Sequence, residues 1–432
     1  MILSGWGRHP KISCSIFRPK NINELKKLIK NKCIPRGNGR SYGDSSLQPD
    51  GTIEMKNFNR ILFFNKKIGV VKIEAGILLD DLLKIIIPQG WFIPVSPGTK
   101  FVTLGGMVAS NVHGKNHHNV GGILNFLENI TLLNENKKII TCSKYKNKNL
   151  FYATCGGMGL TGFILDVTLR LRKITNSYID QKIICTKNLN DTLKELKKDA
   201  KASYSVAWID CTGNKNNFGR SVIFTGEHNK DYSKELFYKK NKIINVPFFL
   251  SNFFLNYITI YMFNCAYYYF NFFKNKFSII SYDDYFYPLD KIKNWNELYG
   301  KDGFIQCQFF IPEINSYKAI RKIMKLIQSK SSVSFLTTLK YMGKDNAMLA
   351  FAGKGFAVAL DFKNTDCNLK LLNKIDKIIV NYNGRIYLTK DSRMEKKTFY
   401  KTYKNIKIFK KTVRNFKNKH TFSSLQSERI CL

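Results

Sequence analysis

Three of the six histidines in the 432-residue chain lie within VHGKNHH, residues 112–118, together with Lys115. His113 and His117 have the i, i+4 spacing of two metal ligands on one helical face. Glycine and asparagine lie between them, however, and no cysteine or carboxylate stands nearby to complete a metal site. We therefore predict no metal ion here. Two interpretations remain, namely histidines with a structural role and histidines that line a bulkier cofactor.

A glycine-rich stretch, PRGNGRSYGD at residues 35–44, has the composition of an anion-binding loop. Its three glycines allow successive amide hydrogens to point into one concavity, and its two arginines add positive charge. This combination suits a pyrophosphate, although a surface turn can have the same composition. A second glycine-bearing loop, residues 96–118, offers further donors at Thr99, Thr103, Gly105 and Gly106.

A third stretch, GGMGLTG, has glycines 157, 159 and 162 in the GxGxxG spacing of a Rossmann dinucleotide-binding turn. That turn must be followed by a helix, whereas the next residues, FILDVTLRLRK, alternate between apolar and polar as a strand does. About twenty residues further on, where an acidic residue would bind the ribose, the chain has Lys182. We therefore predict a tight backbone turn close to another group, and not a Rossmann site.

Residues 246–273 form an apolar segment of 28 residues without Asp, Glu, Lys or Arg, and lysines lie near both ends. Its length is enough to cross a bilayer, but its many Tyr and Asn residues suit the headgroup boundary better than the hydrocarbon. A single crossing would also place two halves of one globular domain on opposite sides of the membrane. We predict that the segment lies on the membrane or forms an apolar lid. A membrane span and a buried core hairpin are the other interpretations.

The chain carries 70 basic and 31 acidic residues, a formal net charge of +39, and only 13 of the basic residues are arginine. We interpret this charge mainly as a lysine-rich solvated surface, with attraction to anionic lipid or a phosphorylated substrate as the second interpretation. No nucleic-acid partner is predicted. The ten cysteines form no CxxC pair and are expected to be reduced core residues of a cytosolic protein. The N-terminal residues MILSGWGRHPK lack the pattern of a cleavable signal peptide.

Strand-like runs, glycine-rich turns and helical patterns alternate over residues 1–175, which predicts a mixed α+β domain. Residues 176–380 have longer strands and amphipathic helices, and we assign them to a second α+β domain that includes the apolar segment. Residues 381–432 are lysine-rich and helical in pattern, and are expected to pack back onto another part of the fold.

The ordered motifs resemble those of the FAD-linked oxidases of the vanillyl-alcohol oxidase superfamily, namely RGNGRSYGD, PGTKFVTLGGMVASNVHGKNHH, GGMGLTG, YSVAWID, GEH, YPLDKIKNWNELYGKDGFIQCQF and YLTKDSR. The resemblance covers nearly the whole chain and is greatest to members that oxidise the pentose of a polyprenyl-phosphate sugar. It implies a two-subdomain PCMH-type FAD-binding domain, a substrate or cap domain with an antiparallel sheet, and a C-terminal segment that returns to the flavin.

The resemblance also implies which residues contact FAD. In the first loop they are Arg36, Gly37, Asn38, Gly39, Arg40, Ser41 and Tyr42. In the second loop they are Gly98, Thr99, Thr103, Leu104, Gly105, Gly106, His113, Gly114, Asn116, His117 and His118. The remaining contacts are Gly159, Thr161, Gly162 and Tyr387. Many sugar and lactone oxidases hold the flavin covalently through a first-loop histidine, and the corresponding residue here is Arg40. FAD is therefore expected to be bound non-covalently.

The same resemblance places Lys390, from YLTKDSR, beside the flavin, where it would pair with the reduced flavin, orient the substrate or act as a base with a pKa lowered by burial. Lys115 would face the substrate or the isoalloxazine edge. Gln306 and Gln308 alternate along one strand and would bind sugar hydroxyls, unless they lie on an exposed sheet face. Tyr299 is a further candidate. Some relatives have a cysteine in the strand matching GFAVALDF, where this chain has alanine, so no thiol-dependent reactivity is expected.

The implied activity is the FAD-dependent oxidation of a secondary hydroxyl of a polyprenyl-phosphoryl pentose. This reaction would be the first half of an epimerisation feeding cell-envelope polysaccharide synthesis, completed by a short-chain dehydrogenase. The main alternative is an oxidase or dehydrogenase of a soluble sugar alcohol or aldonolactone, and a flavin-holding scaffold without turnover is another. The enzyme would act in the cytoplasm or at the membrane surface.

Overall fold

The computed structural model describes residues 1–213, 217–239, 244–245, 256–329, 333–416 and 421–432. Its helices and strands alternate, and its two large sheets are antiparallel, so the predicted mixed α+β class is confirmed. The described α-helices are Ile22–Leu28, Leu79–Ile86, Leu104–Ala109, His117–Val120, Lys148–Thr154, Leu189–Lys198, Tyr257–Phe273, Tyr282–Phe286, Ser316–Ser329, Asp366–Asn381, Lys396–Thr402, Ile406–Asn415 and Leu425–Ile430.

The strands are numbered in chain order. Those up to residue 175 are β1 Ile2–Leu3, β2 Ile12–Ser13, β3 Ile16–Phe17, β4 Ile34–Arg36, β5 Thr52–Glu54, β6 Ile61–Asn65, β7 Val70–Glu74, β8 Trp91–Phe92, β9 Leu127–Leu133, β10 Ile139–Ser143, β11 Phe163–Arg170 and β12 Arg172–Lys173. The later ones are β13 Tyr178–Thr186, β14 Tyr204–Ile209, β15 Ser221–His228, β16 Ile244–Asn245, β17 Phe277–Ser281, β18 Ile292–Lys293, β19 Phe304–Pro312, β20 Thr337–Met342, β21 Gly355–Lys363 and β22 Arg385–Ile386.

Two sheets form the N-terminal part of the fold. A small parallel sheet has the order β3-β5-β4, and an antiparallel sheet has the order β10-β9-β11-β7-β6. The residues after GGMGLTG form the central strand β11 of the second sheet, as their alternation predicts. Strand β4 runs directly into the glycine-rich loop at residues 37–43, so the small sheet fixes where that loop begins.

An eight-stranded antiparallel sheet forms the second part, with the order β17-β13-β15-β14-β20-β21-β19-β22. Strand β19 shows how it is covered on both faces. Ile305, Cys307, Phe309 and Ile311 join the core beneath the helices Ser316–Ser329 and Asp366–Asn381, while Gln306 and Gln308 point to the opposite face. That opposite face is covered by the N-terminal part of the chain. Strand β22 lies beyond residue 380 and still pairs with β19.

The C-terminal segment returns to the N-terminal part. Phe422 forms a parallel bridge with Cys33, next to strand β4. Arg429 donates to the carboxylates of Asp44, at the end of the first glycine loop, and Asp391, at 2.9 and 3.0 Å. These contacts join residues at opposite ends of the sequence around one loop.

The apolar segment lies partly within the described residues. Residues 246–255 lie outside them, and the remainder forms the helix Tyr257–Phe273, called the aromatic helix below. Within the described part of the chain, no helix has the length and apolarity that a bilayer crossing requires. The described part of the segment is a single helix with many exposed aromatic residues, so the interpretation as a buried hairpin is wrong for this part.

Candidate functional site

Three distant segments of the chain converge at the first glycine loop. A Cβ atom on Gly37 would lie 2.1 Å from Oγ1 of Thr103, so the first and second loops are in direct contact. The Tyr42 amide donates to the Thr389 oxygen at 3.0 Å, and Asn38 donates to the Phe101 oxygen at 2.8 Å. The two loops and the returning C-terminal segment therefore surround one place.

The first loop presents a run of backbone donors. Within the described part of the chain, the amides from Gly37 to Ser41 donate to no protein acceptor. Gly39 has φ +63°, the left-handed conformation that turns successive amides into one concavity. Because these amides share one concavity and have no described protein acceptor, the arrangement fits the pyrophosphate of a dinucleotide cofactor.

The two arginines of this loop are turned aside. Arg36 donates to the Ser4 oxygen at 2.8 Å, and the Arg40 guanidinium lies 3.8 Å from the centre of the Trp6 ring. In the second loop, the amides of Leu104 and Gly105 are also used internally, by the oxygens of Ile77 and Ala75. The two arginines therefore contribute positive charge near the loop. The amides of Leu104 and Gly105 hold the second loop in shape.

The GGMGLTG loop packs against the residues at which the first glycine loop begins. Gly159 has φ +80°, and a Cβ atom there would lie 3.1 Å from the Pro35 side chain. Gly162 has φ +137°, and a Cβ atom there would collide with the Leu133 oxygen at 2.6 Å. The Thr161 hydroxyl is 3.0 Å from that of Thr154. The glycines thus serve close packing, as their sequence context predicts.

The three histidines of VHGKNHH point to three different places. His113 accepts a hydrogen bond from Gln308 at 2.7 Å, and its ring stacks on Phe351. His117 accepts from the Gly343 amide at 3.2 Å, and His118 contacts the Ala202 oxygen at 2.9 Å. Burial lowers the pKa of His117 to about 3, and the pKa of His113 falls well below its usual value for the same reason. Both rings are neutral at physiological pH.

Lys390 occupies the short 3-10 turn Leu388–Lys390, and its ammonium lies 3.5 Å from the centre of the Tyr42 ring. Burial lowers its pKa to about 7, with attraction from Asp361 opposing the shift and repulsion from Lys340 adding to it. Lys340 lies on β20, and burial lowers its pKa to about 8. The sequence pattern does not single out Lys340, because alternation within TTLKYM does not reveal whether the polar face meets solvent or another domain.

Lys115 contacts a different element, the helix Tyr282–Phe286. Its ammonium donates to the Tyr285 oxygen and sits 4.1 Å from the centre of the Tyr285 ring. Burial, and to a lesser extent repulsion from Lys340, lowers its pKa to about 7. The described contacts therefore turn Lys115 toward the helix Tyr282–Phe286.

Asp361 on β21 is a buried carboxyl group that was not among the residues predicted from the sequence. Gln306 donates to its Oδ1 at 2.6 Å, and its Oδ2 has no well-aligned partner within the described residues. Burial raises the pKa of Asp361 to about 7, and the Gln306 hydrogen bond, the Lys390 charge and the Tyr299 hydroxyl oppose this shift. An aspartate within the apolar run GFAVALDF was the signal that could have found it, because a buried carboxylate needs a reason.

The structure thus brings together Tyr42, His113, Gln308, Tyr387 and Lys390. Tyr387 contacts three of the others. Its ring lies 4.9 Å from His113, its amide donates to the Gln308 oxygen at 2.8 Å, and its oxygen accepts from the Lys390 amide at 3.0 Å. These side chains lie near the donor-rich loop, together with a lysine and a carboxyl group whose pKa values are both about 7. Such a pair can accept and return a proton at neutral pH.

Comparison with known proteins agrees with this arrangement. A family model described as an FAD binding domain matches residues 15–143. The whole chain is 29% identical to decaprenylphosphoryl-beta-D-ribose oxidase of Mycolicibacterium smegmatis, over 97% of that protein. It is 33% identical to D-lactate dehydrogenase of Anaerostipes hadrus over 43% of this chain and 41% of that protein. It is 31% identical to L-gulonolactone oxidase of Bos taurus over 36% of each chain.

Proposed function

We propose that the chain, an FAD-dependent oxidoreductase, oxidises a secondary hydroxyl of a pentose joined through phosphate to a polyprenyl lipid. The observation that carries this proposal is the extent of the similarity. The relative named for a decaprenylphosphoryl ribose matches from end to end, whereas the lactate dehydrogenase and the lactone oxidase match less than half of the chain.

The residues present fit FAD. The unclaimed amides from Gly37 to Ser41 would hold the pyrophosphate, and the second loop from His113 to Asn116 would line the flavin ring. When bound, FAD supplies the acceptor for the two electrons that leave the carbinol. Because Arg40 lies against Trp6 and is not a histidine, we propose that the cofactor is held without a covalent bond.

The protein must also take up the proton of the hydroxyl group. Asp361 and Lys390 interact electrostatically and both have a pKa near 7, so either can hold a proton there. Lys115 also has a pKa of about 7, but it donates to the Tyr285 backbone oxygen. An ionised Asp361 would be the acceptor, and a protonated Lys390 would stabilise developing negative charge beside it. The Gln306 hydrogen bond fixes the orientation of the carboxylate.

Two further side chains would position the sugar. Gln308 donates to His113 through one amide hydrogen and retains a carbonyl oxygen that a sugar hydroxyl can reach. Lys340 adds a second buried positive charge to the same region, which suits a substrate that carries phosphate.

The test is an anaerobic titration that follows the loss of visible flavin absorbance. Phosphopolyprenyl ribose should bleach the flavin, and free pentitols and aldonolactones at the same concentration should leave it oxidised. Bleaching by the free compounds alone would establish the alternative, a soluble sugar or lactone oxidase. No bleaching by any of them would refute the proposed substrate class.

The immediate product of such a reaction is a keto sugar still attached to its lipid. We propose that a reductase of the short-chain dehydrogenase class returns it to an alcohol of opposite configuration. Adding such a reductase and NADH to the oxidised product should yield the epimeric pentose, identified by chromatography after release from phosphate. Recovery of the original sugar alone would contradict an epimerisation.

A further inference from the structure

The aromatic helix has an inverted distribution of polar and apolar residues. Asn264 and Asn271 point inward and are buried, whereas the outward face carries Ile258, Met262, Tyr269, Phe270 and Phe273, with exposed fractions of 68, 65, 50, 68 and 80%. We call these five residues the outward aromatic face. A surface helix of a globular protein normally has the reverse arrangement, because apolar side chains are stabilised by removal from water.

The inward side explains why the helix stays in this orientation. Asn264 donates to Asp210 at 2.8 Å, and Asp210 forms a buried ion pair with Arg220 at 2.9 Å. The Arg220 guanidinium also lies 4.9 Å from the centre of the Tyr268 ring. Since this polar network is buried and specific, rotating the helix to bury its phenylalanines would break it. The exposed aromatic residues are therefore held outward by the fold.

The aromatic helix lies on the same face of the eight-stranded sheet as Gln308 of the candidate site. Trp208 packs against Tyr267 of the helix with ring centres 4.8 Å apart. Trp208 pairs with Thr338, Thr338 with Ala359, and Ala359 with Gln308, and residues directly opposite on neighbouring strands share a face. Three strand spacings, roughly 14 Å in total, separate Trp208 from Gln308.

The charge of the surrounding sequence identifies the surface that this helix suits. No Asp or Glu occurs between Glu235 and Asp283, whereas five lysines do, at positions 239, 240, 242, 274 and 276. Lys274 caps the helix and lies 5.9 Å from the Phe270 ring, so positive charge directly borders the exposed aromatic residues. Tyr and Phe with flanking lysines match the boundary between anionic headgroups and acyl chains.

We propose that the outward aromatic face docks the protein on an anionic lipid bilayer, with the helix lying in the plane of the interface. A protein partner is less suited to this face, because a protein interface has a polar rim and the helix carries no charged residue. Because the helix and Gln308 lie on the same face of the sheet, this docking would bring a lipid-linked sugar to the side of the protein that carries the candidate site. This role in substrate delivery rests on the proposed function. The docking itself is argued from the helix alone.

The test is co-sedimentation of the full-length holoenzyme with vesicles, in the absence of substrate. Wild-type protein should bind phosphatidylglycerol vesicles more strongly than phosphatidylcholine vesicles. The triple variant Ile258→Ser, Phe270→Ser, Phe273→Ser should reduce binding to phosphatidylglycerol vesicles by at least about tenfold, because three inserting side chains are lost. Lys274→Gln should weaken this binding by about fivefold and leave binding to phosphatidylcholine unchanged.

A matched control removes three other exposed hydrophobic side chains. Tyr145, Tyr232 and Ile314 are 97, 86 and 90% exposed, and replacing all three by serine should leave vesicle binding at the wild-type level. The bound FAD of each variant, measured by its absorbance, reports that the fold is intact. Equal vesicle binding by wild type and the helix variant would overturn the proposal.

The occupant could instead be a second copy of the chain, and sedimentation velocity without lipid distinguishes this outcome. If wild type were a dimer, and the helix variant a monomer that binds vesicles as wild type does, the face would be a dimer interface and the proposal would be wrong. The result is independent of the substrate test. Vesicle binding without bleaching by phosphopolyprenyl ribose would support the docking and refute the proposed substrate. Bleaching without vesicle binding would support the substrate and refute the docking.

Discussion

The ammonium nitrogen of Lys390 lies 3.5 Å from the centre of the Tyr42 ring, which joins the C-terminal segment to the first glycine loop. The backbone reinforces this contact through the hydrogen bond from the Tyr42 amide to the Thr389 oxygen. Because Lys390 is held inside the protein near Lys340, its charged form is disfavoured and its pKa falls to about 7. A lysine of this kind can change its protonation during turnover.

Replacing Lys390 by methionine tests this role directly. Methionine preserves much of the apolar stem but carries neither charge nor proton, so the rate of anaerobic flavin reduction should fall by about 100-fold. The FAD content should remain, because the amides proposed to hold the pyrophosphate belong to another loop. Lys354→Met is the control, since that side chain is 76% exposed. A Lys390→Met rate within twofold of wild type would contradict the assignment.

Asp361→Asn distinguishes the two proton acceptors. Burial raises the pKa of Asp361 to about 7, so its carboxylate form becomes populated as the pH rises through this value. If the carboxylate accepts the proton beside a protonated Lys390, the wild-type rate of flavin reduction should rise toward pH 7 and fall again above it, and the variant should lose the rise and be about 100-fold slower at pH 7. The exposed Asp302→Asn should keep the wild-type profile. A variant that retained the rise would identify Lys390 as the acceptor.

The parts of the site that the sequence predicted are those that depend on local backbone chemistry. Gly39 and Gly159 both adopt positive φ, and Phe163–Arg170 is the strand that its alternation indicates. Asp361 and Lys340 were missed for a physical reason. The period-two pattern of a strand shows that two faces differ, but only the docking of the N-terminal domain makes the polar face of this sheet an interior.

The aromatic helix shows the same limit. Its sequence is apolar around the whole circumference, so periodicity gave no orientation, and a span, a lid, a hairpin and a surface helix all remained open. The buried network around Asp210 selects one of them. Asn264 was not predicted as an anchor, because its partners Asp210 and Thr212 lie directly after strand β14, far away in the sequence.

Gly39→Ala should weaken FAD binding. Gly39 has φ +63°, and an added Cβ atom would lie 2.4 Å from the Arg36 guanidinium, so the Arg36 side chain must leave its hydrogen bond to the Ser4 oxygen. Gly90→Ala is a matched control, because Gly90 has φ +80° but no atom closer than 3.5 Å to an added Cβ. Both variants carry backbone strain of about 1 kcal/mol. Only Gly39→Ala should raise the dissociation constant of FAD, by about tenfold or more.

The mode of FAD attachment can be tested by acid precipitation of the purified holoenzyme. Because we propose that Arg40 occupies the position of the covalent histidine, the flavin should remain in the supernatant and the pellet should be colourless. Mass spectrometry of the denatured chain should give the mass of the unmodified polypeptide. A yellow pellet, or a mass increased by that of FAD, would show that another residue forms a covalent bond.

Asp210→Asn should destabilise the second domain and loosen the aromatic helix. Asp210 is fully buried, pairs with Arg220 at 2.9 Å and accepts from Asn264 at 2.8 Å. Replacement by asparagine keeps the volume but leaves the buried guanidinium without a counter-charge, which costs about 3–5 kcal/mol in free energy of unfolding.

Urea unfolding measures this change, and Asp81→Asn provides the contrast. Asp81 pairs with Lys84 on the surface, with about half of its side chain exposed, so its loss should cost at most about 0.5 kcal/mol. Because only Asp210→Asn replaces one carboxylate oxygen of this network by an amide NH2 group, which cannot accept from Arg220 or Asn264, chymotrypsin should cleave within Tyr257–Phe273 faster in that variant than in wild type. Equal cleavage rates would mean that the apolar contacts of Tyr267 and Tyr268 alone hold the helix on the sheet, and that the polar network does not set its orientation.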